Sequence, residues 1–465
     1  MIAEGRLFVA AVDAHAVHAL AADTGEPVWA YTAGGRVDSP PTIWQGRVLF
    51  GCADGWVYCL RAADGELMWR FRAAPADQRM VAFEQVESVW PVHGSVLVQD
   101  GVLWCVAGRS MYLDGGLRLL RLDPKTGNPV GETVLDDRDP DSGQNLQVRL
   151  KGLNMPVALN DILSSDGRNV YMRSQRFDLE GQRLAIDTPT ERIQDQQGEA
   201  AHLFCPTGFL DDAYWHRSYW VYGLRWASGA GGYFQAGRFA PSGRLLVFDD
   251  QTIYGFSRKP QYFRWTTPLE RQLFASAKQP EILRDAPQPQ SEPAEAAKKK
   301  ERRAAKAKAE PAVKDIAGKD AGAPTADKPA TPPKQQPSAK RKAFNAGAPP
   351  DARVAYQWTQ QLPIHVRGLV LADRTLFVAG PPDVVDEEDS LRTFADPATQ
   401  EKLAQQEAAL AGQQGSLLLA VSAAAGRKVT EVRFDSLAVF DGLAAAGGKL
   451  YLATTDGRVV CFGKP

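Results

Sequence analysis

The sequence predicts an all-β fold, a β-propeller of four-stranded antiparallel blades, and three observations carry that expectation. Residues 5–29 (GRLFVAAVDAHAVHALAADTGEPVW) align with residues 46–69 (GRVLFGCADGWVYCLRAADGELMW), and residues 101–130 repeat the theme with a longer hairpin. Gly25 and Gly65 lie 40 residues apart, as do Trp29 and Trp69, and a period of that length built from strands marks propeller blades rather than helical solenoids. The 41 Gly and 31 Pro among 465 residues exceed ordinary usage, as many short strands joined by turns require and a helical bundle does not.

Each copy runs as an apolar strand, a tight turn, a second apolar strand, an acidic turn closed by Gly, and a further strand that twice carries Trp. The acidic turns are Thr24-Gly25, Asp64-Gly65 and Thr126-Gly127, where glycine supplies the positive φ that closes a hairpin. A two-residue turn at Asp54-Gly55 would set Cys59 opposite Phe50, which leaves Cys52 and Cys59 unpaired by a disulfide. The hairpin recurs more faintly at residues 169–178 and 244–256, the latter keeping strand, turn and strand in LLVFDDQTIYGF. Residues 375–379 pair with 416–421 across a long insertion, and residues 447–463 (GGKLYLATTDGRVVCFG) restate the second copy, with Asp456-Gly457 matching Asp54-Gly55 and Cys461 matching Cys59. Seven blades are thus visible. Seven or eight are expected in the complete protein, because the chain starts near the second strand of a blade and stops after the third strand of its last. The N-terminus is accordingly expected to be incomplete.

Two insertions break the repeat. Residues 276–350 are rich in Ala, Pro, Lys, Gln and Glu with almost no large apolar side chains, and cannot bury enough surface to offset their ordering entropy. They are expected to form a disordered loop, whose basic run KKKERRAAKAKAE from Lys298 reads as a solvated stretch rather than a polymer site. Residues 381–414 open with acidic VVDEEDS and continue in Ala, Gln, Glu and Leu, which favours helix. The expected organisation is therefore blades 1–5 in residues 1–275, the disordered insertion in 276–350, and blades 6–7 in 351–465 with a helical excursion at 381–414.

Charge and motifs exclude several functions. With 54 Lys+Arg against 55 Asp+Glu the net charge is -1, so nothing global steers the chain to nucleic acid or anionic membranes. No run approaches the roughly 18 to 20 apolar residues a membrane-spanning helix needs. The N-terminal segment has Glu4 early and Asp13 within it, unlike a secretory signal peptide. Five cysteines (Cys52, Cys59, Cys105, Cys205, Cys461) without CxxC or CxxCH spacing give neither a disulfide scaffold nor c-type haem attachment. No GxSxG, P-loop or GxGxxG between strand and helix supports a hydrolase or nucleotide reading.

The segments ALAADTGEPVW (19–29) and CLRAADGELMW (59–69) resemble the repeat of PQQ-like quinoprotein propellers, whose consensus runs roughly AxDxxTGxxxW. The likeness covers the first 135 residues well, is fair at 447–463 and is weaker between. It implies structural roles for Thr24, Gly25, Trp29, Asp64, Gly65, Trp69, Thr126 and Gly127, the Trp of one blade stacking on backbone and small residues of the next, as Trp29 with Ala19 and Trp69 would do. The family has two functional classes. Calcium-dependent alcohol and glucose dehydrogenases hold the quinone and Ca²⁺ in the central funnel with an Asp base, some beside a vicinal disulfide; BamB-like members bind no quinone and serve as platforms. This chain has no adjacent Cys pair, and no motif assigns a base or calcium ligands. The resemblance therefore implies a non-catalytic platform for protein binding or assembly, with no cofactor and no catalytic residue. A PQQ- and calcium-dependent dehydrogenase of an alcohol or sugar is the alternative, and a carbohydrate-binding propeller a weaker one. The relatives' habits further imply a periplasmic or extracellular monomer whose partner is a protein or an extracellular polymer.

One stretch gathers chemically capable side chains. In residues 202–226 (HLFCPTGFLDDAYWHRSYWVYGLRW), His202, Cys205 and His216 are donor types suited to Zn²⁺, although without the paired spacing of strong zinc motifs. Tyr214, Trp215, Tyr219, Trp220 and Trp226 could stack on a sugar or quinone, or pack between blades. Asp383, Asp386, Glu387, Glu388 and Asp389 offer hard oxygen ligands but not the order of an EF-hand, and fit the N-terminal end of the insertion's helix.

Overall fold

Consecutive strands pair antiparallel with their neighbours, so that each blade is a meander and the chain forms an eight-bladed propeller. The computed structural model describes residues 1–150, 156–160, 162–186, 196–205, 220–224, 237–259, 271–284 and 352–463. The propeller unit comprises Met1–Ile282 and Arg353–Pro465; of a second unit, Leu283–Ala352, only Leu283, Arg284 and Ala352 are described.

Blade 1 has strands Ile2–Ala3, Arg6–Ala11, Ala16–Ala21 and Pro27–Thr32, and blade 2 has Thr42–Trp44, Arg47–Gly51, Trp56–Arg61 and Leu67–Arg72. Blade 3 is Leu97–Gln99, Val102–Ala107, Leu117–Leu122 and Pro129–Leu135. Among the described residues blade 4 shows Ser164–Ser165, Asn169–Met172 and Gln175–Asp178, and blade 5 shows His202–Phe204, Trp220–Gly223 and Ser242–Gly243. Blade 6 joins Leu245–Phe248, Thr252–Arg258 and Arg271–Ala277 to Trp358–Gln360, which arrives from beyond the long insertion. Blade 7 is Gly368–Ala372, Thr375–Gly380, Ser416–Ser422 and Lys428–Phe434; blade 8 is Ala438–Ala446, Lys449–Thr454 and Val459–Phe462.

The structure has eight blades, within the seven or eight expected; the one not visible as a repeat is blade 5, whose described strands are only 3, 4 and 2 residues long. Three expectations change. The chain opens in a first strand rather than a second, because Ile2 and Ala3 pair with Leu7 and Arg6. Cys59 faces Leu49, not Phe50: Cys52 N–H donates to the Trp56 carbonyl at 3.0 Å, so three residues rather than two span the turn. Within the stretch expected to be disordered, strand Arg271–Ala277 runs past residue 275 and Ile282–Arg284 is extended; the rest, 285–351, lies outside the described residues. The helical excursion is present, as α2 (Glu387–Arg392) and α3 (Pro397–Leu410), while a short α1 (Leu146–Arg149) follows blade 3. None of the five cysteines is in a disulfide.

The core lies between blades. Phe8, Val17 and Ala19 of blade 1 pack on Val48, Phe50, Tyr58 and Leu60 of blade 2, and Leu369, Leu376 and Val378 of blade 7 on Tyr254, Phe256 and Leu273 of blade 6. Tryptophans lock this stacking. Trp29 donates its indole N–H to the Ala62 carbonyl at 3.0 Å, Trp69 to Pro124 at 3.2 Å and Trp358 to Ala423 at 2.9 Å, each on a neighbouring blade's Gly-closed turn. The rings lie on Gly65, Gly127 and Gly426, where a Cβ would approach ring carbons to 2.6, 2.6 and 2.5 Å. Glycine is required there twice over, by its positive φ of 74°, 74° and 68° and by the ring above it.

Candidate functional site

A meander reverses direction at every strand, so the loops between second and third strands emerge on the same face as the connectors from each blade's fourth strand to the next blade's first. This connector face carries a cluster of buried and half-buried charges. Arg36 and Asp38 lie on the connector from blade 1 to blade 2, Glu87 and His93 on that from blade 2 to blade 3, and Arg109 on the second-to-third loop of blade 3.

These five side chains close on one another. Arg36 Nε donates to Asp38 Oδ1 at 2.7 Å, and its Nη1 lies 3.0 Å from Glu87 Oε1. His93 Nδ1–H donates to Asp38 Oδ2 at 2.6 Å, and Arg109 pairs with the second oxygen of Glu87. Asp38, Glu87 and His93 are all buried. Burial alone would raise the Asp38 carboxyl, but hydrogen bonds from His93 and Arg36 outweigh it and hold the group below its ordinary value. Beside them Asp54 accepts from the Tyr58 hydroxyl at 2.6 Å and the Trp56 N–H at 3.0 Å. Burial and that carboxylate push the Tyr58 phenol up.

The chemistry open to this network is limited. A general base needs its free nitrogen to face a nucleophile, whereas His93 Nε2 faces Arg109 Nη1 at 3.5 Å. Asp38 and Glu87 are each neutralised by a guanidinium and Asp54 is occupied by hydroxyl and amide donors. These carboxylates do not fit the calcium ligands that a bound quinone would require.

The network does anchor a hairpin. Strands Arg79–Ala82 and Gln85–Ser88 pair as Val81 with Val86 and Met80 with Glu87, so that Glu87 ties the hairpin's root into the charge cluster. Its turn residues Phe83 and Glu84 have φ of 50° and 62°, a left-handed pair that bulky residues seldom occupy. The Arg36 guanidinium sits 4.4 Å from the centre of the Phe83 ring, and His15 Nε2 lies 2.6 Å from Gln85 Oε1, fixing the hairpin over blade 1. Outward it presents Val81 at 72% exposure, Val86 at 59%, Phe83 at 54% and Met80 at 39%.

A second cluster lies on the same face at blade 7. Donor atoms of His365, Asp383 and Glu387 lie within 4.8 Å of one another, beside an open groove of about 400 Å³ lined in part by Leu362, Pro363, Asp383 and Val384. The sequence pointed to Asp383 and Glu387 as oxygen donors, but not to His365, which the meander brings from the other side of the hairpin Gly368–Ala372/Thr375–Gly380. Asp386 is instead the N-cap of α2, accepting from Asp389 N–H at 2.8 Å.

Of the residues singled out in 202–226, His202, Cys205 and Trp220 are described and Tyr214, Trp215, His216, Tyr219 and Trp226 lie outside the described residues. His202 is buried, with Nδ1 2.8 Å from the Ala200 carbonyl, Nε2 2.6 Å from that of Arg173, and its ring stacked on Tyr171 at 4.0 Å. Both nitrogens thus face backbone, and Trp220 starts the second strand of blade 5. Gly25, Gly65 and Gly127 have positive φ at their turns, and the Trp29 and Trp69 indoles donate to the neighbouring blade.

A family model described as outer membrane protein assembly factor BamB matches residues 1–267. No curated protein matches the sequence. Among solved structures, BamB from Moraxella catarrhalis is 10% identical, covering 99% of this chain and 92% of its own, with a TM-score of 0.43. Quinohemoprotein alcohol dehydrogenase from Comamonas testosteroni is 14% identical, covering 98% of this chain and 69% of its own, at 0.45. The quinohemoprotein alcohol dehydrogenase ADHIIG from Pseudomonas putida HK5 is 12% identical, covering 97% and 68%, at 0.47.

Proposed function

The chain belongs to the PQQ-like propeller family described as outer membrane protein assembly factor BamB, and on that premise we propose that it is a non-catalytic, protein-binding platform working outside the cytoplasm. One observation carries the reading: the hairpin formed by Arg79–Ala82 and Gln85–Ser88 holds Val81, Phe83 and Val86 out to solvent on a rigid, ion-paired base. Contiguous exposed apolar groups on a preorganised support favour a protein partner, because little ordering entropy remains to be lost on binding. The neutralised carboxylates beneath the hairpin support the same reading over the dehydrogenase.

The test places a photo-crosslinking residue at Val81 or Val86, with Thr430 on the outer strand of blade 7 as the control, in cells that make the protein. Cross-links to one shared protein from both hairpin positions and none from Thr430 are expected, and Val81→Asp should abolish that partner's co-purification while leaving the thermal melt unchanged. Saturable, calcium-dependent quenching of tryptophan fluorescence by micromolar PQQ, with dye reduction on an alcohol or sugar, would overturn the proposal in favour of the dehydrogenase.

A further inference from the structure

We infer that His365, Asp383 and Glu387 form a binding site for a divalent transition-metal ion of the zinc class, which fastens the root of the helical insertion to blade 7. The backbone sets the first two donors opposite each other. His365 N–H donates to the Pro381 carbonyl at 3.0 Å and Asp383 N–H to that of Pro363 at 3.0 Å, around the bridge between Ile364 and Pro382. Gln406 of α3, itself buried, braces this clasp, accepting from Val384 N–H at 2.8 Å and donating to the Pro382 carbonyl at 3.1 Å.

Within the clasp His365 Nε2 and Asp383 Oδ1 are 3.2 Å apart, yet neither atom makes a hydrogen bond and both are shielded from water. They form an ion pair when the imidazole is protonated; with Nε2 unprotonated, two shielded lone-pair atoms face each other, each having lost its hydration without a hydrogen-bond donor. An ion between them satisfies both. Tetrahedral bonds of about 2.0 to 2.1 Å put neighbouring donors roughly 3.3 Å apart, close to the spacing found here. The Glu387 donor, within 4.8 Å of the other two, comes from the first turn of α2. One imidazole nitrogen with two carboxylates suits Zn²⁺ or a neighbour in its series, whereas Ca²⁺ takes six to eight oxygens. Three protein ligands leave a position for water, which the adjoining groove can supply.

The full-length chain, stripped with chelator, is titrated with ZnCl₂ by calorimetry and with Co²⁺ by visible absorption. One equivalent should bind at micromolar concentration or tighter, Co²⁺ should give the absorption of a low-coordinate site, and Ca²⁺ should not compete. His365→Ala and Asp383→Asn should each weaken Zn²⁺ by more than about a hundredfold, the loss that even outer-shell changes reach. Asp383→Asn keeps the side chain's shape and decides the matter should His365→Ala misfold. Hydrogen exchange of 383–392 should slow with Zn²⁺ and recover on chelation. No binding by the parent at micromolar Zn²⁺, or unchanged affinity in Asp383→Asn, would overturn the assignment.

Discussion

At Trp69 a single side chain joins two blades, by its hydrogen bond to Pro124 and its ring on Gly127. Because the indole is only partly buried, Trp69→Ala should cost about 2 to 4 kcal/mol, less on average than the loss of a fully buried Trp. Gly127→Ala should cost more than about 1 kcal/mol through its left-handed φ and the ring above it. The two losses should not add, since either one opens the same socket; additive denaturant-unfolding energies would deny the coupling. Asp38 gives a pH dependence. Its carboxyl is held below the ordinary value when folded, so its contribution is full above the usual carboxylate range and is lost as pH falls through the folded-state value. The melting-temperature gap between the parent and Asp38→Asn should therefore be widest near neutrality and shrink below about pH 4. Thiol labelling should also discriminate: exposed Cys461 should react in the native protein, whereas Cys59 and Cys105, whose thiols burial pushes up to about 12, should wait for unfolding.

At the scale of the element, the hairpin of residues 79–88 stores strain. Phe83 and Glu84 occupy the left-handed region that hairpin turns normally fill with Asn-Gly, and the Arg36 guanidinium on the Phe83 ring helps to hold them there. Glu84→Gly should therefore stabilise the fold by about 0.5 to 1 kcal/mol, and a lower melting temperature would show that the turn is not strained. The strands of this hairpin were not legible in the sequence, since MVAFEQVES has neither a glycine turn nor clean alternation. The helical insertion was legible, because Asp386 and Asp396 are N-caps and Pro397 stands at the first position of α3. What composition did not reveal is Gln406, a polar residue turned inward to serve Val384 and Pro382; Gln406→Ala should cost about 1 to 3 kcal/mol and speed exchange at Val384.

Over the whole propeller, closure depends on blade 8 meeting blade 1. The Tyr451 hydroxyl donates to the Ala22 carbonyl at 2.7 Å, and Ala22 stands three residues before Gly25 as Ala62 stands before Gly65. A tyrosine thus takes at the seam the carbonyl position that an indole takes between other blades. Tyr451→Phe should lower stability by about 0.5 to 1.5 kcal/mol without changing the urea m-value; a changed m-value would mean that the seam opens separately from the rest.

The sequence by itself determined the blade: the 40-residue spacing of Gly25 and Gly65, the acidic turns, and the tryptophans that lie on them, all set by local turn chemistry and repeated packing. It also located the helical insertion and the two carboxylate donors, Asp383 and Glu387, that lie beside His365. Tertiary structure alone decided the eighth blade, the charge network and the His365 cluster. Arg36, Glu87 and Arg109, or His365 and Asp383, come from different connectors and loops, and they meet because antiparallel meanders return to one face. Such meetings leave no period in the chain, since the residues involved share a position in space and not a spacing in sequence.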